Sequence, residues 1–279
     1  MAIEIKPLSP ALGVKVTGLD LARPIAPEAA RLVLDAWTAH HLLLLRDQEV
    51  DEDRQVAFAR LIGPVSHRGA YMKDRMATHV SNVRPDGILG GGVLHFHSDH
   101  TFFAHPLKAI CLYGIEVPAR GGETLFANAI LAYRNLPADL KRRIADLNSV
   151  QLFDYSGDYN RRTLLEDAPG DAPRCLHPLV KIDEGTGERV LFVHEHTTAA
   201  IPGLDHDRTD ALMAELMTYL RDPAIGYRHG WRAGDVLLWN NITLQHARTD
   251  FDRTERRTLR RVPVAVSDAE AWDETATAA

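Results

Sequence analysis

The stretch that decides the fold runs Ala109-Ile110-Cys111-Leu112-Tyr113-Gly114-Ile115-Glu116-Val117, then Pro118-Ala119-Arg120-Gly121-Gly122, then Glu123-Thr124-Leu125-Phe126-Ala127. It reads as a short apolar strand, a Pro/Gly break and a second short strand, with no helical period across it. The same texture recurs at 190–194, 235–239 and 258–266, each bounded by Gly, Pro or Asp. Leu179-Val180-Lys181-Ile182 and Arg189-Val190-Leu191-Phe192 flank Asp183-Glu184-Gly185-Thr186-Gly187, a hairpin pattern. Towards the start, 3–6 and 14–17 alternate in polarity, and 42–45 is all leucine, a strand buried on both faces if it is central. Helical spacing is confined to 27–41, with Pro27 in its first turn, to a segment capped by Asp51, and to 138–147 and 207–221. Many short strands with a few helices outside predict a mainly β chain with flanking helices, a double-sheet jelly roll (cupin-like double-stranded β-helix) rather than a parallel doubly wound sheet.

No repeat or linker divides the 279 residues, so one domain over 1–279 is expected. Two stretches read as mobile loops, the Gly-rich 85–92 and a lid insertion at 155–174 that mixes Gly, Asp, Asn, Arg and Pro. A formal charge of −6 argues against a general nucleic-acid binder. No apolar run reaches the roughly 18 residues of a membrane span, and residues 1–10 lack the basic and apolar regions of a secretory signal. Two cysteines make no disulfide framework. A cytoplasmic protein acting on a small molecule is expected, with neither nucleic acid nor membrane as partner.

Leu94-His95-Phe96-His97-Ser98-Asp99-His100 holds several metal-ligand candidates. On an extended strand residues two apart share a side, so His97 pairs with Asp99 and equally with His95, and His194 pairs with His196 in Val193-His194-Glu195-His196. Period alone does not choose. Chemistry narrows the choice: two imidazoles and one carboxylate hold one face of an octahedral Fe(II) and leave the other open for substrate and oxygen. His246, after Trp239-Asn240-Asn241-Ile242-Thr243-Leu244-Gln245, offers the second imidazole, and Arg257 a guanidinium fork for a carboxylate that chelates the metal. The set points to an iron enzyme that activates O2 with a 2-oxo acid. The alternative is a zinc-dependent hydrolase on His194 and His196 with Glu195 as base, which leaves Arg257 without a task.

Four segments carry a family resemblance: Leu12-Gly13-Val14-Lys15-Val16-Thr17-Gly18-Leu19-Asp20-Leu21, the stretch 117–124, the stretch 239–246, and Glu255-Arg256-Arg257-Thr258-Leu259-Arg260-Arg261. In them the chain resembles the taurine and chlorophenoxyacetate dioxygenases, Fe(II)- and 2-oxoglutarate-dependent enzymes on a jelly roll. The resemblance implies His97, Asp99 and His246 as iron ligands, Thr124 and Arg257 as the residues that hold 2-oxoglutarate, and O2 as the oxidant. It implies that Arg261, on the same side of its strand as Arg257, meets an anionic group of the substrate. His67, Tyr71 and Phe96, the last where the family commonly has Trp, are further substrate-pocket candidates, as are Phe102, Phe103 and Phe153. The substrate is expected to be a small carboxylate or sulfonate, aryloxyalkanoates included, and the outcome hydroxylation, with desaturation or rearrangement as alternatives. A homo-oligomer, dimer or tetramer, is expected from the same resemblance.

Overall fold

All four leucines of the Leu42–Leu45 strand are buried. Leu42 and Leu44 enter one apolar cluster and Leu43 and Leu45 another, because successive side chains leave a strand on opposite faces. Neighbouring strands divide the same way. Leu237, Trp239, Ile110 and Leu112 lie on one side, and Val236, Leu238, Ala109 and Cys111 on the other. A sheet buried on both faces results, as the all-apolar reading of 42–45 requires. These observations come from a computed structural model that describes residues 2–67, 76–153 and 162–270.

The sheet has eight strands in the order Glu4–Pro7, Val14–Thr17, Leu42–Leu45, Val236–Asn240, Ala109–Glu116, Thr258–Val264, Thr78–Ser81 and Gly87–Ile88. Its pairings are antiparallel except at Val14–Thr17 with Leu42–Leu45 and at Thr78–Ser81 with Gly87–Ile88. Helices Pro27–His40 and Glu52–Ala59 cover one face through Val33, Ala36, Trp37, Val56, Phe58 and Ala59. Pro27 opens the first helix, and Asp51 caps the second by accepting from the Arg54 amide at 2.8 Å. At roughly 1.5–3 kcal/mol for each large apolar side chain taken from water, this layer far outweighs any single polar contact in the molecule.

The other face meets a four-stranded antiparallel sheet ordered Gly226–His229, Thr124–Asn128, Leu244–Arg248 and Leu94–His97. Phe126 and Leu244 from this sheet join Trp239, Ile110 and Leu237 in one apolar cluster. Helices Ala129–Asn135, Ala138–Ile144 and His206–Leu220 share a further cluster with Ala127 and the Val180–Ile182/Arg189–Leu191 hairpin. The helix at Ala129–Asn135 was not anticipated. It is too short for a periodic signal, and Asn128 starts it by accepting from the Ile130 and Leu131 amides at 3.1 Å each.

The Gly-rich stretch carries the short strand Gly87–Ile88, and Arg248 donates from Nε to the Gly92 carbonyl and from Nη1 to that of Leu89. A third sheet orders Arg174–Pro178, Asn148–Leu152 and Thr198–Ala200. Residues 155–161 of the expected lid, Tyr155 and Tyr159 among them, lie outside the described residues. Just beyond them, Arg162 donates to the Ala199 carbonyl and pairs with Asp210. No helix among the described residues is long and apolar enough to cross a membrane.

The break between the two opening strands is tightly built. Gly121 sits at φ +75°, and a Cβ there would lie 2.3 Å from the Asp250 carbonyl oxygen. Gly121→Ala is expected to destabilise the protein by roughly 1–3 kcal/mol in a denaturant melt, through left-handed strain and that clash together. A loss under about 0.5 kcal/mol, within the scatter of ordinary surface substitutions, would contradict this account of the turn.

Candidate metal and anion site

Strand register brings the two imidazoles together. Leu244–Arg248 pairs with Leu94–His97 so that His246 lies opposite His97, with ring centroids 4.2 Å apart. Asp99 follows in the turn after His97. Its Oδ1 is 3.3 Å from His97 Nε2 and 3.6 Å from His246 Nε2. One donor atom from each of the three residues lies within 4.8 Å of the others, and no other His/Cys/Asp/Glu group among the described residues meets that condition.

The turn is held from behind. The Asp99 amide donates to Asn241 Oδ1 at 2.8 Å, and Asn241 Nδ2 donates back to the carbonyls of Asp99 at 3.0 Å and Leu107 at 2.9 Å. His100, the next residue, takes φ +61°, uncommon for a residue with a Cβ. Asn241 thus ties the segment carrying Asp99 to the turn that leads into His246. Sequence reading missed it, because an Asn in a turn is usually turn chemistry and nothing more.

The electrostatics prepare a divalent cation site. Nδ1 of His97 is 2.7 Å from the His95 carbonyl, which can only accept, so that nitrogen donates, and Nε2 is the ring atom that faces Asp99. Burial, aided by the His97 imidazole, pushes His246 down to about 3 and keeps it neutral. Burial works to raise the Asp99 carboxyl, but Arg261 and the two imidazoles outweigh it and hold Asp99 well below the usual carboxylate range. Two imidazoles beside an ionised carboxylate form a donor set that fits Fe(II).

Arg261 is bound to the cluster. Its Nη2 is 2.6 Å and its Nε 3.2 Å from Asp99 Oδ2, so Oδ1 is left to the imidazoles. Four residues earlier Arg257 is buried, with Nε and Nη2 on the Gly122 carbonyl and its guanidinium 5.7 Å from the Phe251 ring centroid. Burial, with Arg248 as a neighbouring cation, lowers Arg257 to about 9, which still leaves it charged at neutral pH. Thr124 lies in register with Arg248 on one side and His229 on the other, and its Oγ1 accepts from Trp231 Nε1 at 2.9 Å. The even spacing correctly put Arg257 and Arg261 inward: Arg256 turns out to Glu116, and Arg260 to Gln55 and the Val50 carbonyl.

The remaining candidates fall elsewhere. Phe96 is corrected: it sits on the face of its strand opposite His97 and packs against the helix-side cluster, because strand neighbours alternate. His67 is exposed, with Nδ1 2.8 Å from the Glu270 carbonyl. Tyr71 lies outside the described residues. The hydrolase constellation is also corrected. His194 bonds Gln151 Oε1 at 3.1 Å, Glu195 pairs with Arg221 and His95, and His196 has its ring centroid 4.8 Å from that of His97 at a tilt of 57°, so the three do not converge. Phe102 lies 5.6 Å from the His100 ring and 4.8 Å from Phe153, and Phe103 4.9 Å from Phe102, an aromatic group beside the Asp99 turn.

Comparison with known proteins places this geometry. Residues 4–262 match the model of the Taurine catabolism dioxygenase TauD, TfdA family. The chain is 34% identical to the (S)-phenoxypropionate/alpha-ketoglutarate-dioxygenase of Sphingobium herbicidovorans, over 92% of this chain and 93% of that one. It is 29% identical to the alpha-ketoglutarate-dependent 2,4-dichlorophenoxyacetate dioxygenase of Burkholderia sp. (strain RASC), over 94% of each. Among solved structures, AAD-2 in complex with Mn(II) and N-oxalylglycine superposes with a TM-score of 0.79 at 26% identity, covering 95% of this chain and 98% of that one. A taurine dioxygenase from Burkholderia xenovorans gives 0.79 at 27% identity, covering 97% and 93%.

Histidines desolvated by burial govern the acid behaviour: His41, His177 and His229 are lowered, and three others are lowered furthest. Burial pushes His194 and His196 well below the ordinary imidazole range and His246 to about 3. Each folded pKa lies below the unfolded value of about 6.5, so the unfolded chain takes up the protons first. Their contribution to stability is complete above about pH 6.5 and is lost as pH falls from there towards 3. Urea melts of metal-free protein at pH 7, 6 and 5 should show unfolding free energy falling by up to about 1.4 kcal/mol per pH unit for each histidine. His194→Gln should remove one proton's share of that slope. A wild-type slope of zero between pH 6 and 5 would mean that these imidazoles titrate alike in both states.

Proposed function

The chain belongs to the taurine catabolism dioxygenase TauD, TfdA family, and from that premise we propose that this Fe(II)- and 2-oxoglutarate-dependent dioxygenase oxidises a small aryloxyalkanoate. The observation that carries the reading is the convergence of His97, Asp99 and His246, with Arg261 bound to Asp99 and Arg257 buried four residues before it. The 34% identity to a phenoxypropionate dioxygenase supports the aryloxy group, and so do the rings of Phe102, Phe103 and Phe153 beside the Asp99 turn. The two facing sheets support a single jelly-roll domain. Two free cysteines, one buried, support a cytoplasmic setting.

His97, Asp99 and His246 would hold the iron. When bound, iron supplies oxygen activation coupled to decarboxylation of 2-oxoglutarate to succinate and CO2, and with it the power to oxidise a C–H bond. Arg257 and Thr124 hold the far carboxylate of 2-oxoglutarate, so binding energy becomes orientation. Arg257 is charged and buried with carbonyl and aromatic company, so an arriving carboxylate offsets much of its desolvation. Arg261 keeps Asp99 ionised and fixes which of its oxygens faces the imidazoles, and its guanidinium draws the substrate carboxylate to the same side. The aromatic group would stack on the aryl ring, and the bond to be oxidised is the C–H of the carbon bearing the ether oxygen. Hydroxylation there gives a hemiketal or hemiacetal that collapses and releases the phenol.

Succinate and phenol release should therefore rise together when Fe(II), ascorbate and 2-oxoglutarate are supplied with 2-phenoxypropionate or phenoxyacetate. His97→Ala should lower both by roughly 100-fold or more, and Asn241→Ala should weaken Fe(II) affinity by about 10- to 100-fold by loosening the Asp99 turn. Arg261→Ala should raise the aryloxy acid's KM about tenfold or more. Succinate release stimulated by taurine or an alkyl sulfate, and by no aryloxy acid, would overturn the substrate class while leaving the cofactors in place.

A further inference from the structure

We propose that Trp231 is a positioning residue for the co-substrate: its indole N–H, donated to Thr124, aims the threonine hydroxyl proton at the distal carboxylate of 2-oxoglutarate. The inference rests on the reading of Thr124 given above. A hydroxyl has one proton and two lone pairs, whereas an indole nitrogen only donates. At 2.9 Å from Trp231 Nε1, the Thr124 oxygen must therefore be the acceptor, and its own proton points away from the indole. Among the described residues this accepted bond is the one hydrogen bond of that hydroxyl. Thr124 is only 4% exposed, which leaves little room for bulk water to take the proton. The cations around it, Arg248 across the strand pair and Arg257 beyond, are donors only. The missing partner in this group is an anionic acceptor, and a carboxylate oxygen is one.

The indole is itself built into place. Its ring meets the His229 ring at 4.7 Å and 89°, an edge-to-face contact. His229 Nε2 is 3.1 Å from Asp235 Oδ2, and Arg46 Nη1 binds the same carboxylate at 2.8 and 3.1 Å. Asp235 also accepts from the Arg232 amide at 2.9 Å and passes its own carbonyl to the Gly114 amide at 2.8 Å. Gly114 leaves the gap in which the indole lies: a Cβ there would stand 3.3 Å from Trp231 Cε3 and 2.8 Å from the Arg232 carbonyl oxygen. A buried carboxylate, two arginine and histidine partners and a bare glycine thus fix one N–H vector. That is more order than a tryptophan filling space requires.

The test separates aiming from packing. Protein loaded with Mn(II) in place of iron is titrated calorimetrically under argon with 2-oxoglutarate and with 2-oxovalerate, which has the same chain and no distal carboxylate. Trp231→Phe should weaken 2-oxoglutarate about three- to tenfold, the size of one neutral hydrogen bond, and leave 2-oxovalerate unchanged. Thr124→Val should do the same, and Trp231→Phe in the Thr124→Val background should add nothing. If Trp231→Phe fails to fold, benzothienylalanine placed at 231 keeps the bicyclic ring, removes the N–H and should give the same result. Equal weakening of both acids would reduce Trp231 to packing and overturn the proposal. So would unchanged 2-oxoglutarate binding in Trp231→Phe while Thr124→Val is weakened, which leaves the role of Thr124 intact. If Thr124→Val itself binds 2-oxoglutarate normally, both the assignment of Thr124 and the proposal fall.

Discussion

The contact between Asp99 and Arg261 joins the two sheets at the point where the chemistry is placed. Asp99 opens the turn after a strand of the smaller sheet, and Arg261 lies within the Thr258–Val264 strand of the larger one. A buried ion pair is weak evidence for stability, because desolvating both charges consumes most of what their attraction returns. Its value here is positional. With Oδ2 committed to the guanidinium, Oδ1 is the oxygen that faces His97 and His246, and the carboxylate stays ionised in surroundings that favour the neutral acid. Breaking the pair would leave a buried charge alone, so the arrangement resists drift in either partner.

Around that contact the smaller sheet works as a ruler. His246 lies opposite His97, and two residues on, Arg248 lies opposite Thr124. One strand, Leu244–Arg248, therefore separates the His97 pairing from the Thr124 pairing by the fixed two-residue step of a β-strand. Arg248 also grips the carbonyls of Leu89 and Gly92, so the Gly-rich stretch, whose composition reads as loose, is tied to the same strand.

Parity and punctuation made much of this legible from the chain. The all-leucine 42–45, the break at 118–122 and the hairpin at 179–192 each state their geometry locally, and the structure follows them. The His97/Asp99 pair was legible as one of several pairs two apart. Choosing it needed the chemistry of the donor set, and among the described residues that pair is the one that meets a third His, Cys, Asp or Glu donor, His246, across a strand. What could not be read depended on register between distant segments. Asn241 reaches 142 positions back to Asp99, and Trp231 reaches 107 back to Thr124, with no local pattern to announce either. Phe96 was misread for the opposite reason: adjacency in sequence to His97 is what sends it to the other face.

The Thr258–Val264 strand and the residue before it carry two inward arginines with different company, and the difference separates their tasks. Arg261 already has a carboxylate, Asp99, so its charge is balanced by the protein and its geometry is fixed before any ligand arrives. Arg257 has a carbonyl and an aromatic ring, neither of which balances a charge, and burial beside Arg248 has drawn it down to about 9. A group held charged against its surroundings gains most from an anion that enters them. The first arginine therefore holds Asp99 in place before any ligand arrives, and the second is the one whose charge an entering carboxylate would balance. A site built this way should bind a dicarboxylate more tightly than a monocarboxylate of the same length in a calorimetric titration, because only the former would complete the second arginine's electrostatics.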